Sequence, residues 1–248
     1  MILKPFPEVN CGLSSPTFAA QPMISKTSGV QRLALFDLDR TLIDLDAAFR
    51  RWGEEFAEQQ HLSLEDLVWL VSQDRVTHPH REAFFSKVRE HFALPDSVEE
   101  LWAGYRRRMP NLVQCYPGVL TGLAGLRAAG WRVGIVTNGM ADNQLGKLRR
   151  TGLADVVDGY AVSGVEGIRK PDARLFQIAA QRCGVSLAEG GWMVGDNLVA
   201  DIAGGQAAGL RGIWVDRGTW QGHEHRADHV VADVAEAIAI MRDTHQTG

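Results

Sequence analysis

From Arg32 the chain sets a short apolar run, Leu33-Ala34-Leu35-Phe36, directly against the polar series Asp37-Leu38-Asp39-Arg40-Thr41. That pattern predicts a buried strand running into a loop. From about Asp46 to Met109 apolar positions recur at helical spacing: Phe49, Trp52 and Phe56; Leu64, Leu67, Val68 and Val71; Phe84, Val88 and Phe92; Val98, Leu101, Trp102 and Tyr105. Four amphipathic helices are expected there, and their aromatic stripes are read as the apolar faces that any packed helix needs. Tyr116-Pro117-Gly118 breaks the pattern, and beyond it helix and strand alternate. Helices are expected over 120–129, 143–150, 173–183, 198–208 and 233–241, and strands over 131–136, 156–162, 191–194 and 210–215. Short apolar strands alternating with helices predict an α/β fold whose parallel sheet is covered on both faces. In such a sheet ligands bind beyond the carboxyl ends of the strands.

The organisation expected is an extension over residues 1–30, with four prolines and no apolar periodicity, then a sheet-bearing core over 31–45 and 116–248. A helical insertion over 46–115 divides that core. The 248 residues are 45% hydrophobic and 23% charged, an ordinary globular balance. A net charge of −4 gives no pull toward nucleic acid or an anionic membrane, which leaves small molecules as the expected partners. Cys11, Cys115 and Cys183 form no CxxC and no disulfide framework, so a reducing cytoplasm is the expected compartment. No stretch is apolar for long enough to suggest a membrane span. A monomer and a homodimer are equally compatible with the sequence.

Three of the expected strands run into polar clusters: Asp37, Asp39 and Thr41; Thr137, Asn138 and Gly139; Gly195, Asp196 and Asn197. Parallel strands would bring these clusters to one edge, and Lys170, just ahead of a helix, can reach it through its loop. Asp37 and Asp39 are two apart, so in extended backbone they leave the same face. Carboxylates crowded together repel, and a hard divalent cation with oxygen ligands, Mg²⁺, relieves that repulsion, Asp196 supplying the second carboxylate. Asp37 facing a phosphorus atom is then a nucleophile able to form an aspartyl-phosphate, and Asp39 can act as acid and base. Lys170, Thr137 and the cation would balance charge on the phosphoryl oxygens.

In order and placement these clusters resemble the haloacid dehalogenase superfamily of phosphohydrolases. Asp37-Leu38-Asp39-Arg40-Thr41 stands as its first motif, Thr137 as its second, Lys170 as its third and Gly195-Asp196-Asn197-Leu198-Val199-Ala200-Asp201 as its fourth. The succession Thr137-Asn138-Gly139, Gln144-Leu145-Gly146-Lys147-Leu148 and Arg169-Lys170-Pro171-Asp172 is similar to the subgroup of N-acylneuraminate-9-phosphatase, pyrimidine 5'-nucleotidases and phosphoglycolate phosphatases. The resemblance implies a Rossmann-like core with an all-helical cap inserted after the first strand. It also implies Asp37 as nucleophile, Asp39 as acid/base, and Thr137, Asn138 and Lys170 on the phosphate. Mg²⁺ would be held by Asp37, the Asp39 carbonyl and Asp196. Thr41 completes the first motif in a lesser role. Asp201 is the looser member, either orienting Lys170 or a metal-bound water, or standing as a helix-surface carboxylate. Arg40 departs from the family's usual Gly, and either reaches toward the cap and an anionic substrate or points to solvent.

The function expected is Mg²⁺-dependent hydrolysis of a small phosphomonoester through an aspartyl-phosphate. A sugar-phosphate mutase, a 2-haloacid dehalogenase and a catalytically silent phosphate-binding regulator are the alternatives on the same fold. Arg106-Arg107-Arg108 reads as helix-end cations, and His223 and His225 are given no role.

Overall fold

The structure, a computed structural model, describes residues 32–77, 80–224 and 226–243. The expected extension, Cys11 and His225 lie outside them. Six parallel strands, β1 (Arg32–Phe36), β2 (Trp131–Thr137), β3 (Gly159–Val162), β4 (Trp192–Gly195), β5 (Arg211–Val215) and β6 (His229–Val231), form one sheet in the order β3-β2-β1-β4-β5-β6. The chain builds outward from β1 to one side and then, from β4, to the other. A crevice opens where that direction reverses, between β1 and β4, which is where open α/β sheets bind ligands.

Residues alternate across β1: Ala34 and Phe36 pack into the core on one face, Leu33 and Leu35 into the core on the other. Both faces being apolar, the strand reads as a continuous hydrophobic run. Phe36 pairs with Ile135 of β2 and Val194 of β4, so three strands finish level and present Asp37, Thr137 and Asp196 at one rim.

Between β1 and β2 lie α1 (Leu45–Gln59), α2 (Leu64–Thr77), α3 (Arg81–His91) and α4 (Val98–Arg108), then α5 (Val119–Ala128). Asp44 caps α1 through the Ala47 N–H, and Ser97 with Glu100 makes a reciprocal capping box on α4. The inserted helices close around Phe49, Trp52, Phe56, Phe84, Phe85 and Tyr105, with tilted and edge-on ring contacts of 4.9 to 6.3 Å and one stacked pair, Trp52 on Phe56. The chain leaves and rejoins the core side by side: Ile43 bridges Cys115 antiparallel, the Asp44 N–H donates to the Gln114 carbonyl at 2.9 Å, and the Tyr116 N–H to Leu42 at 3.0 Å.

After β2 come α6 (Ala141–Arg150) and the single turn α7 (Leu153–Val156). The turn α8 (Ser163–Glu166) and α9 (Ala173–Arg182) separate β3 from β4, the turn α10 (Gly204–Ala207) precedes β5, and α11 (Val234–Asp243) closes the chain. Four sequence expectations need correction. The segment over 198–208 is not one α-helix: Leu198–Ala203 is wound as a π-helix before α10. The segment over 156–162 is a strand only from Gly159, because α7 occupies its start. The three-residue β6 falls in what read as a loop. On α2 the expected stripe is turned: Leu64 and Val68 are exposed, while Leu70 and Asp74 are buried, and the inner line carries a charge that masks its period.

Candidate active site

The Asp37 N–H donates to the Val194 carbonyl at 2.8 Å, which extends the β1–β4 register one residue past the strand. Lys170 arrives from the loop after α8. Asn138 holds it there, accepting the Lys170 N–H at 2.9 Å and donating to the Lys170 carbonyl at 3.1 Å. The Asn138 carboxamide, expected on a phosphate, thus clamps the backbone of the lysine. The buried ammonium donates to Asp37 Oδ1 at 2.6 Å, the Val136 carbonyl at 2.7 Å and Asp201 Oδ1 at 2.6 Å. An ammonium has three donors, and all three are used.

Asp201 is buried, so it is not a helix-surface carboxylate, and it accepts from Lys170. Its second oxygen accepts the Asn197 N–H at 3.0 Å. The π-helix makes this possible: the Asn197 carbonyl accepts from both Asp201 and Ile202, and the wider turn carries the Asp201 carboxylate in beneath β4. Only glycine fits at 195, because a Cβ there would strike that carboxylate.

Asp37, Asp196 and Asp201 bring ligand oxygens within 4.8 Å of one another. The Asp196 side chain accepts no hydrogen bond among the described residues. Burial pushes Asp37 up to about 7, Lys170 pulling against it and Asp201 adding to it. Asp196 is raised well above its ordinary value by burial and by Asp37 and Asp201. Negative charge at this rim exceeds what one ammonium balances, and an all-oxygen donor set in that state fits a hard divalent cation.

Asp39 faces a different partner. Burial would raise its carboxyl, but Lys147 Nζ, at 2.7 and 3.0 Å from its two oxygens, and Gln144 Nε2, at 3.0 Å, outweigh burial and hold it below the usual range. Burial in turn lowers the Lys147 ammonium. Gln144 also donates to the Thr137 hydroxyl at 2.6 Å, so Thr137 joins Asp39 through one amide. The Asp39 carboxylate, expected as acid and base, is held by Lys147 and Gln144 and is not among the three carboxylates whose oxygens converge. The Thr41 hydroxyl is fully buried without a hydrogen-bond partner among the described residues.

Arg40 adopts φ 60°, the left-handed region that suits glycine, the residue that the resemblance leads one to expect here. Its guanidinium is buried, ruling out the solvent-pointing reading. It donates to Asp46 at 2.8 Å and pairs with Asp74 of α2 at 3.5 Å. Asp74 also pairs with Arg81, the first residue of α3, whose guanidinium lies 5.0 to 5.8 Å from the ring centroids of Phe49, Phe84 and Tyr105. Arg106, read as a helix-end cation, lies 4.8 Å over Trp102 and reaches Asp142 of α6 at 3.1 Å. A cavity of about 1310 Å³ separates these helices from the rim; Asp37, Asp39, Asp196, Lys147 and Lys170 line one wall, and Arg81, Trp102, Tyr105 and Arg106 the other. His223 is exposed and outside it.

The residues missed in the sequence are Gln144, Lys147, Asp74 and Arg81. Gln144 and Lys147 left a trace: they sit three apart on the face of α6 that also carries buried Leu148, where an apolar stripe belongs. Asp74 and Arg81 left none.

A parallel sheet of this strand order, with carboxylates and buried lysines gathered at its reversal point, is a Rossmann-like α/β core. The model of the haloacid dehalogenase-like hydrolases matches residues 31–209. A phosphoserine phosphatase of Thermus thermophilus is 40% identical over 184 residues, 70% of each chain. A glyceraldehyde 3-phosphate phosphatase of Methanopyrus kandleri is 38% identical over 118 residues, 48% of this chain and 50% of the relative. The fold matches YfnB of Bacillus subtilis, solved bound to magnesium, with a TM-score of 0.69 at 24% identity over 86% of this chain and 99% of that one. The chain belongs to the haloacid dehalogenase-like hydrolase family and is an enzyme.

Proposed function

We propose that the enzyme hydrolyses a small phosphomonoester in two displacements at Asp37, with Mg²⁺ as cofactor. The observation that carries this is the joining of Asp37 to Asp201 by the Lys170 ammonium, next to an unpaired Asp196 carboxylate and across from Asp39. Two relatives named as phosphatases of small phosphorylated molecules support it. Asp37, the Asp39 backbone carbonyl and Asp196 would hold the cation; Asp201, both of whose oxygens are engaged, would fix Lys170 behind them. When bound, the cation neutralises charge on the phosphoryl oxygens and keeps Asp37 ionised.

Lys170 occupies Asp37 Oδ1, leaving Oδ2 as the oxygen to attack phosphorus while the ester P–O bond breaks. Lys147 keeps Asp39 ionised in the free enzyme, so Asp39 takes up a proton as the substrate binds, from the phosphomonoester or from water, and passes that proton to the departing alkoxide. Water then attacks the aspartyl-phosphate, its proton passes to Asp39, the bond from phosphorus to Asp37 breaks, and inorganic phosphate leaves. Lys147 and Gln144 hold the Asp39 carboxyl in place for both transfers. Thr137 and Lys170 would flank the phosphoryl group. The absence of a CxxC or a disulfide framework among the three cysteines supports a reducing cytoplasm as the enzyme's compartment.

Phosphate release from p-nitrophenyl phosphate tests the proposal. Turnover should require Mg²⁺, stop with EDTA, and fall by at least ~10³-fold in Asp37→Asn, the scale seen on removing a covalent nucleophile. Turnover that persists in Asp37→Asn would overturn it.

A further inference from the structure

Two neutral polar groups on the cavity wall have no part in the two displacements. The guanidiniums nearby are already balanced: Arg40, Arg81 and Arg106 pair with Asp46, Asp74, Glu99 and Asp142. Tyr105 of α4 and Asn143 of α6 line the same cavity and are only 2% and 9% exposed. Neither side chain makes a hydrogen bond to a described residue. Buried polar groups are almost always paired, and two that are not, at the wall of a ligand-sized cavity, are free for a group that enters it.

Asn143 stands where the alcohol must depart. It lies four residues before Lys147 on α6, so the two are neighbours on one face, and Lys147 holds Asp39. Gln144, the next residue, donates to the same carboxylate at 3.0 Å. Asp142, the residue before, accepts from Arg106 of α4 at 3.1 Å. Asn143 is thus placed between the acid/base and the joint to the inserted helices. Its amide oxygen is shut off from solvent without a donor, which leaves the amide nitrogen as the end toward the cavity.

Tyr105 precedes Arg106, so it flanks that joint from α4 as Asn143 does from α6. Its ring is fixed by Phe49, Trp52 and Phe85 and by the Arg81 guanidinium 5.0 Å from its centroid. Burial pushes the phenol up, Arg81 pulling against it and Asp74 and Asp39 adding to it, so the hydroxyl keeps its proton with the acid/base close by. A phenol donates and accepts, and an amide nitrogen donates. A hydroxyl answers both, accepting from the amide and exchanging a hydrogen bond with the phenol. An ammonium offers the amide no lone pair, and a carboxylate would need a cation that the paired arginines do not leave over.

We infer that Tyr105 and Asn143 are specificity-determining residues that grip a hydroxyl of the departing alcohol between the inserted helices and α6. The inference rests on the phosphatase reading and adds to it how the leaving group is recognised.

The test compares glycerol 3-phosphate with propyl phosphate, the three-carbon ester without hydroxyls, on the full chain with Mg²⁺. The expected ratio of kcat/KM is about tenfold or more in favour of the hydroxylated ester, because the analogue leaves buried polar groups unpaired. In Tyr105→Phe and, separately, in Asn143→Leu the ratio should fall toward one by about threefold or more, the scale of a neutral hydrogen bond. Calorimetry on Asp37→Asn should show the same preference in Kd, without turnover. Asn143→Leu replaces an unpaired amide by an apolar group of similar size, so its urea midpoint should equal or exceed that of the unaltered enzyme. A lower midpoint would show the amide bonded within the fold and overturn its part in recognition. Tyr105→Phe removes one oxygen and keeps the packed ring, so it remains informative if Asn143→Leu fails to fold. A ratio near one in the unaltered enzyme, or one that either folded variant leaves unchanged, overturns the inference. Hydrolysis of both esters at equal rates would sink this inference alone, whereas no phosphate release from any ester, p-nitrophenyl phosphate included, would sink the phosphatase reading beneath it.

Discussion

At Arg40 two demands meet in one residue: a left-handed backbone, φ 60°, and a buried guanidinium paired with Asp46 and Asp74. The backbone conformation costs a residue with a Cβ about 1 kcal/mol relative to glycine. Arg40→Ala loses the ion pairs and keeps that cost, whereas Arg40→Gly loses the pairs and sheds it. Arg40→Gly should therefore be more stable than Arg40→Ala by about 1 kcal/mol in urea unfolding, reversing the usual preference for alanine. Equal midpoints, or alanine ahead, would contradict the strained conformation. What the sequence showed at this scale was the set of short-range motifs: Asp37 with Asp39, Thr137 with Asn138, Asp196 with Asn197. Lys147 escaped because it meets Asp39 from 108 positions away: its place beside Gln144 on the inner face of α6 marks it as buried but does not name the partner. Asp74 escaped for the opposite reason. Its line of α2 reads as polar surface until Arg40 and Arg81 are seen to turn toward it.

Among the elements, strands and long helices were legible because their apolar periods are long enough to read, and the joints between them were not. The π-helix at Leu198–Ala203 has no periodic signature, since a single widened turn shifts only which side chains point inward. Its effect is chemical, for it brings Asp201 under Gly195 and onto Lys170. Gly195→Ala would drive a methyl group into the Asp201 carboxylate. The expected result is a loss of about 1–3 kcal/mol in stability, the usual cost of overpacking, with kcat falling alongside as Lys170 loses an anchor. Chemical unfolding and turnover of the same sample check both; a variant of unchanged stability would show that the carboxylate moves aside freely. The strand β6 was hidden by its length, three residues being too few to display alternation.

For the whole molecule, the trio of carboxylates makes stability depend on pH and on the cation together. The folded Asp37 titrates at about 7 against an ordinary value of 3.8, and Asp196 is raised as well. Between those values the folded protein keeps a proton that the unfolded chain has released. Raising the pH through that window therefore removes stability from the metal-free protein, and what is present below about 4 is lost above about 7. Mg²⁺ favours the ionised carboxylates, so its stabilisation should be larger at pH 8 than at pH 5. Thermal melts with and without MgCl₂ at the two pH values check this, and an equal gain at both would contradict it. Asp39, held low by Lys147, contributes in the opposite sense, and its share is lost only in stronger acid. No helix among the described residues is long and apolar enough to cross a membrane.

The paired crossing at Ile43 and Cys115 has a further consequence. Because the four inserted helices leave and rejoin through two adjacent peptide segments bonded to each other, the strand order does not depend on the length between them, although Arg40–Asp74, Arg106–Asp142 and a shared apolar core tie them to the sheet-bearing part. A graft of different length or shape could be spliced across that stem without rethreading a single strand.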